Sequence, residues 1–84
     1  MVKAVYFAWV RERIGVAEEE IEPPAGIATA ADLIGWLSGR GENYAAAFAR
    51  PEVVRIAIDR RHAPPEAPIG AAREIAFFPP MTGG

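Results

Sequence analysis

Val53-Val54-Arg55-Ile56-Ala57-Ile58-Asp59 is the clearest strand in the chain, and the architecture follows from where it lies. Val54, Ile56 and Ile58 alternate with Val53, Arg55, Ala57 and Asp59, giving one aliphatic face and one mixed face. Arg60 and Arg61 read as a tight turn. Pro64, Pro65 and Pro68 exclude a regular central strand from the stretch that follows. A last strand, Glu74-Ile75-Ala76-Phe77-Phe78, comes after it.

Working back toward the start, Val2 to Ala8 is rich in β-branched and aromatic residues and predicts a strand buried on at least one face. Trp9 to Ile14 has room for one helical turn, with Gly15 suited to its C-terminal stop. Glu18-Glu19-Glu20-Ile21-Glu22 carries one large apolar residue among four like charges. It predicts an edge strand in a hairpin with the first, its glutamates facing solvent and discouraging edge-to-edge pairing. Pro23-Pro24-Ala25-Gly26 breaks the chain. Thr29 with Asp32 resembles a capping box, and Ala30, Leu33, Ile34 and Leu37 recur at the spacing of a buried helix face. Trp36 widens that stripe, Gly39 and Gly41 end it near Arg40, and Tyr44 to Ala49 predicts a second short helix closed by Pro51. Trp9 and Trp36 belong to the core or its rim. The order is strand, strand, helix, strand, turn, strand, which fits a small α+β roll.

The 84 residues, 51% hydrophobic and 24% charged, suit one small globular domain with a thin stability margin. There are no cysteines, which removes disulfides, thiolate metal sites and cysteine nucleophiles together. A net charge of −2 argues against a general nucleic-acid or anionic-membrane binder. The apolar start is cut at Arg11-Glu12-Arg13, well short of the ~20 residues a membrane span needs, and lacks the pattern of a signal peptide. A soluble, cytoplasmic protein is the expectation. His62, the single histidine, has no neighbouring ligand in sequence and is a poor metal or catalytic candidate.

After Phe78 the chain reads Pro79-Pro80-Met81-Thr82-Gly83-Gly84. The diproline donates no backbone hydrogen bonds and favours an extended path, so residues 79–84 are expected to form a tail on a domain of residues 1–78. Two terminal glycines let such a tail enter a channel too narrow for other side chains. The only reactive group there is the Gly84 α-carboxylate, a poor electrophile until it is activated, most simply as an acyl-adenylate. No P-loop pattern is present, so the chain is expected to bind no cofactor and to leave ATP to an activating partner.

Ala76-Phe77-Phe78-Pro79-Pro80-Met81-Thr82-Gly83-Gly84 resembles the ending of molybdopterin synthase small subunits. Phe7-Ala8-x-x-Arg11-Glu12-x-x-Gly15 is similar to that family's first strand and turn. The resemblance implies a ubiquitin-like β-grasp roll, a mixed sheet of four to five strands on one main helix. It also implies a sulfur carrier. Gly84, preceded by Gly83, is adenylated by an E1-like adenylyltransferase, becomes a thiocarboxylate, and donates sulfur to cyclic pyranopterin monophosphate. The large subunit, in a heterotetramer, receives the tail and performs the acid–base chemistry. Phe7 and Phe78, on first and last strands, are implied to form an apolar contact patch. Arg11, Arg60, His62, Pro79, Pro80, Met81 and Thr82 complete the expected partner-binding set. Three other functions remain open on sequence: a thiocarboxylate carrier for thiamin, cysteine or tRNA thiolation, a protein-tagging modifier, and a β-grasp binding module with an inert tail.

Overall fold

The computed structural model describes residues 1–80. Strand β1 (Val2–Tyr6) alternates buried and half-buried residues, sending Val2, Ala4 and Tyr6 inward. It ends earlier than the sequence suggests. Phe7 is instead the N-cap of helix α1 (Ala8–Ile14), and Ala8 stands at φ 52°. That left-handed step turns the chain off the sheet two residues before the apolar run is exhausted. Gly15 stops the helix at φ 100°, the conformation for which glycine is suited.

Strand β2 (Glu18–Ile21) pairs antiparallel with β1, matching Val2 to Ile21 and Val5 to Glu18. Helix α2 (Ala30–Ser38) begins at the capping box. Asp32 N–H donates to Thr29 Oγ1 at 3.1 Å, and Thr29 N–H donates to Asp32 Oδ2 at 3.2 Å. The Thr29 N–H and the Ala28 N–H donate to the charged carboxylate and hold the Asp32 pKa below the ordinary aspartate value. Two further N-terminal N–H groups of α2, of Ala30 and Ala31, donate to Ala67 and Pro65 carbonyls at 3.0 and 2.8 Å. The proline-rich stretch is therefore a cap laid over the helix start, satisfying donors the helix itself leaves free.

Helix α3 (Glu42–Ala47) starts two residues before the expected position, and a single 3-10 turn, Pro51–Val53, leads into the sheet. Strands β3 (Arg55–Ile58), β4 (Arg61–Ala63) and β5 (Glu74–Phe78) complete it in the order β2-β1-β5-β3-β4. β1 and β5 run parallel and the other neighbours antiparallel, the arrangement of a β-grasp roll. Arg61, expected in the turn, opens β4, and the connection is only Asp59-Arg60. Both turn residues have positive φ, 49° and 70°, as a two-residue hairpin loop matched to strand twist requires.

All three helices cover one face of the sheet. Tyr6, Val10, Leu33, Leu37, Ile75 and Phe77 are the largest fully buried side chains between the layers. Trp9 and Trp36 pack against this core from its rim, as expected. Glu19 departs from the solvent-facing role given to the whole acidic run. Its carboxylate accepts hydrogen bonds from the hydroxyls of Tyr6 and Tyr44 at 2.8 and 2.7 Å and from Arg40 at 3.3 Å. Glu18, Glu20 and Glu22 are exposed.

Candidate functional site

The face of the sheet away from the helices holds the candidate site. One register row crosses it: Val5 of β1, Ala76 of β5, Ala57 of β3 and His62 of β4. Ala57 and Ala76 bring only methyl groups to the middle of that row, so the sheet is shallow there. Larger residues stand around this floor. Phe7, Ala8, Arg60, His62, Glu74, Phe78, Pro79 and Pro80 enclose an open cleft of about 710 Å³.

Each wall has a local cause. Phe7 is 48% exposed although it follows a buried strand, because the left-handed Ala8 lifts the chain away. Its N–H donates to the Phe77 carbonyl at 3.1 Å, tying it to β5 where β1 ends. Phe77 and Phe78 point to opposite faces, as neighbours on a strand must. Phe77 is fully buried while Phe78 is half-buried on the cleft side. Phe78 meets His62 edge to face, ring centroids 5.2 Å apart, across the small Ala57. Arg60 is presented by the turn that Asp59 anchors. Asp59 Oδ1 accepts from the Arg73 and Glu74 amides at 2.9 and 3.0 Å, and the Asp59 N–H donates to Glu74 O at 2.8 Å. Asp59 thus both takes the left-handed conformation of the turn and fastens that turn to the start of β5.

Backbone strain is concentrated here. Ala8, Asp59 and Arg60 are the non-glycine residues at positive φ among the described residues; two line the cleft and the third adjoins it. Such conformations cost on the order of 1–2 kcal/mol each and persist only where the surroundings hold them.

Below the cleft, on the other side of the sheet, Tyr6 stacks on Phe77 at 5.8 Å, and Phe48 meets Phe77 edge-on at 5.5 Å. Burial, reinforced by the Glu19 carboxylate, pushes the Tyr6 hydroxyl far above the ordinary tyrosine range; Tyr44 is raised for the same reasons. Arg40 lies over both the Trp36 and Tyr44 rings, at 5.3 and 5.0 Å, and completes the Glu19 cluster. This cluster braces Tyr6 and, through the stacked rings, Phe77, and the residues that follow these two along the chain are Phe7 and Phe78.

Six of the partner-binding residues expected from sequence, Phe7, Arg60, His62, Phe78, Pro79 and Pro80, therefore share one cleft. Arg11 does not line it. It is exposed on α1, one turn beyond Ala8 and on the same side of the helix. Met81, Thr82, Gly83 and Gly84 lie outside the described residues. Sequence reading missed Ala57, Ala76 and Glu74. The first two carried a signal, a pair of small residues in otherwise large-residue strands, but only the register shows that they are neighbours. Among the described residues no three His, Asp or Glu side chains gather as a metal site. No helix among them is long and apolar enough to cross a membrane. The cleft offers apolar surface with a cationic rim and one carboxylate.

Residues 4–84 match the ThiS family. The molybdopterin synthase sulfur carrier subunit of Haemophilus influenzae is 36% identical over 84 residues, covering all of both chains. The subunit of that name from Escherichia coli is 30% identical over the same full span. Among solved structures, a putative molybdopterin converting factor subunit 1 from Pyrococcus furiosus superposes with a TM-score of 0.74 at 32% identity, over 95% of this chain and 97% of that one.

Proposed function

The chain belongs to the ThiS family, and we propose that it is the sulfur carrier subunit of a molybdopterin synthase. The observation that carries this reading is end-to-end likeness to two carriers of that name, in a chain whose last described residues wall an exposed apolar cleft. An exposed aromatic surface on so small a domain is a usual mark of a partner site.

In this reading Gly84 is the functional residue and Gly83 keeps the approach to it narrow. An E1-like adenylyltransferase uses ATP to convert the Gly84 carboxylate to an acyl-adenylate; sulfur displaces AMP and leaves a thiocarboxylate. That anionic sulfur is the nucleophile, for the reason that thiolates outrun thiols. Phe7, Phe78, Pro79 and Pro80 dock on the large subunit while Met81 and Thr82 carry the glycines into its active site. Arg60, His62 and, on the flank, Arg11 contact the same partners. Sulfur passes to cyclic pyranopterin monophosphate, and two transfers build a dithiolene. The complex is a heterotetramer working in the cytoplasm, and the chemistry beyond sulfur donation belongs to the large subunit.

Intact-mass measurement of protein from its native host tests the first half. A population heavier by one oxygen-to-sulfur exchange is expected, and its absence under conditions of active cofactor synthesis would sink the reading. Reconstitution with a large subunit and the pterin precursor tests the second half. Deleting Gly84, or adding one residue after it, should abolish sulfur transfer with the melting temperature unchanged. Transfer retained by either variant would count against the terminal carboxylate as the carrier group.

A further inference from the structure

We propose that the open face of the sheet is a self-docking surface, on which a second copy of this chain packs about a two-fold axis along β5. The inference stands apart from the carrier reading, because it uses only side chains of the sheet and holds whatever the chain carries. β5 is the middle strand of the five, so a two-fold along it lays β1 over β3 and β2 over β4 of the second copy. A surface that meets itself in this way must have complementary halves, and the register places them so.

Three rows cross the open face. Nearest the start of β5 stand Glu20, Lys3 and Glu74 in register, with the Asp59-Arg60 turn level with Glu74. The two-fold sets exposed Glu20 over exposed Arg60 of the second copy, and Lys3 over its Asp59. The middle row is Glu18, Val5, Ala76, Ala57 and His62. There Glu18 comes over His62 of the second copy, Val5 over its Ala57, and Ala76 meets its own copy. In the last row Phe7, 48% exposed, comes over the second copy's Arg55, and half-buried Phe78 meets its own copy. An arginine on an aromatic face and an aromatic pair are both favourable contacts. Among these described residues like charges meet at Glu74, on the axis, where Lys3 stands beside it in register and offsets the repulsion.

The acidic β2 edge could also meet the basic β3–β4 hairpin of a neighbour edge to edge. The face is favoured because it covers Phe7 and Phe78 as well, and because it closes on itself as a pair, whereas edge-to-edge contact leaves further edges open. Four strand spacings give the face a width of about 19 Å, and four residue steps give it a length of about 13 Å. That footprint lies at the small end of specific interfaces, so the pair should be transient, with a Kd on the order of 100 µM. The dimer covers the cleft that the large subunit is proposed to occupy, so self-association and that complex exclude one another.

Sedimentation equilibrium of the full chain, from about 10 µM to about 1 mM, tests this. In low salt a monomer–dimer equilibrium should appear, weakening about tenfold as salt rises to several hundred millimolar. Glu18→Lys with Glu20→Lys makes both flanks of the face basic; Arg55→Glu with Arg60→Glu makes both acidic. Each double variant should lose dimer about tenfold, and an equimolar mixture of the two should recover it. Phe78→Ala should weaken the dimer by about as much, which edge-to-edge pairing would not show. Circular dichroism should find every variant folded, since each changed side chain is exposed or half-buried, and the salt series on wild type needs no variant. Monomer alone at the highest concentration overturns the proposal, as does a dimer indifferent to salt or to both charge reversals. Failure of the mixture to recover the dimer, growth beyond a dimer, or wild-type affinity in Phe78→Ala does the same. Each of those results leaves the carrier reading standing, because none of them reads the terminal carboxylate.

Discussion

At Ala8 a methyl group is held at φ 52°, where only glycine is at ease. Nothing in the sequence marks it, since alanine is a good helix former and the run from Val2 to Ala8 reads as unbroken strand. The structure uses the left-handed step to end β1 at Tyr6 and leave Phe7 exposed. Replacing Ala8 by glycine removes the steric cost and returns part of it as unfolded-chain entropy, so Ala8→Gly should stabilise the fold by about 0.5–1 kcal/mol. Chemical denaturation would show this as a higher midpoint with unchanged slope. A lower midpoint would mean that the methyl makes a contact worth more than the strain. Glu19 teaches a related lesson. Its place in an acidic run made it look like solvent-facing charge, yet two tyrosine hydroxyls and Arg40 converge on its carboxylate. Those partners are 13 to 25 residues away in sequence, beyond the reach of any local pattern.

At the scale of elements four of the five strands, the main helix, its capping box and the charged edge were legible, because each rests on a short-range periodicity or on cap chemistry, whereas the three-residue β4 is too short to show one. Boundaries were less so where geometry overrode the pattern, as at Phe7 and at Arg61, which the two-residue turn hands to β4. Adjacent phenylalanines on β5 let the two faces be tested separately. Phe77 is fully buried between Tyr6 and Phe48, so Phe77→Ala should cost about 3–5 kcal/mol, enough to unfold much of a small domain. Phe78 is half-buried in the cleft, so Phe78→Ala should keep the fold while weakening the large-subunit complex by about 1–3 kcal/mol. Thermal melts and titration calorimetry separate the two effects. A Phe78→Ala chain that binds with wild-type affinity would remove the cleft from the interface.

For the whole molecule, stability is set by one core without disulfides, closed into a Cα radius of gyration of 11.6 Å. So small a core has little free energy to spare, and pH should reach it from both sides. On the acid side Asp32 has its folded pKa below the ordinary value, so its contribution is present above the unfolded pKa near 4 and is lost as pH falls through the folded one. On the alkaline side the sign reverses. Tyr6 and Tyr44 have folded pKa values above the ordinary tyrosine value, so their contribution is complete below about 10 and fades only as pH climbs beyond it. The cause lies at one place: ionising Tyr6 would set a phenolate inside the core, 2.8 Å from the Glu19 carboxylate. Urea midpoints should therefore stay level between about pH 5 and 9 and decline outside that window. Tyr6→Phe should make the alkaline limb shallower, leaving the Tyr44 share, and Asp32→Asn should make the acid limb shallower, leaving the Glu52 share, each without effect on the opposite limb. An alkaline decline equally steep in Tyr6→Phe would mean that this buried phenol does not govern the fold's upper pH limit.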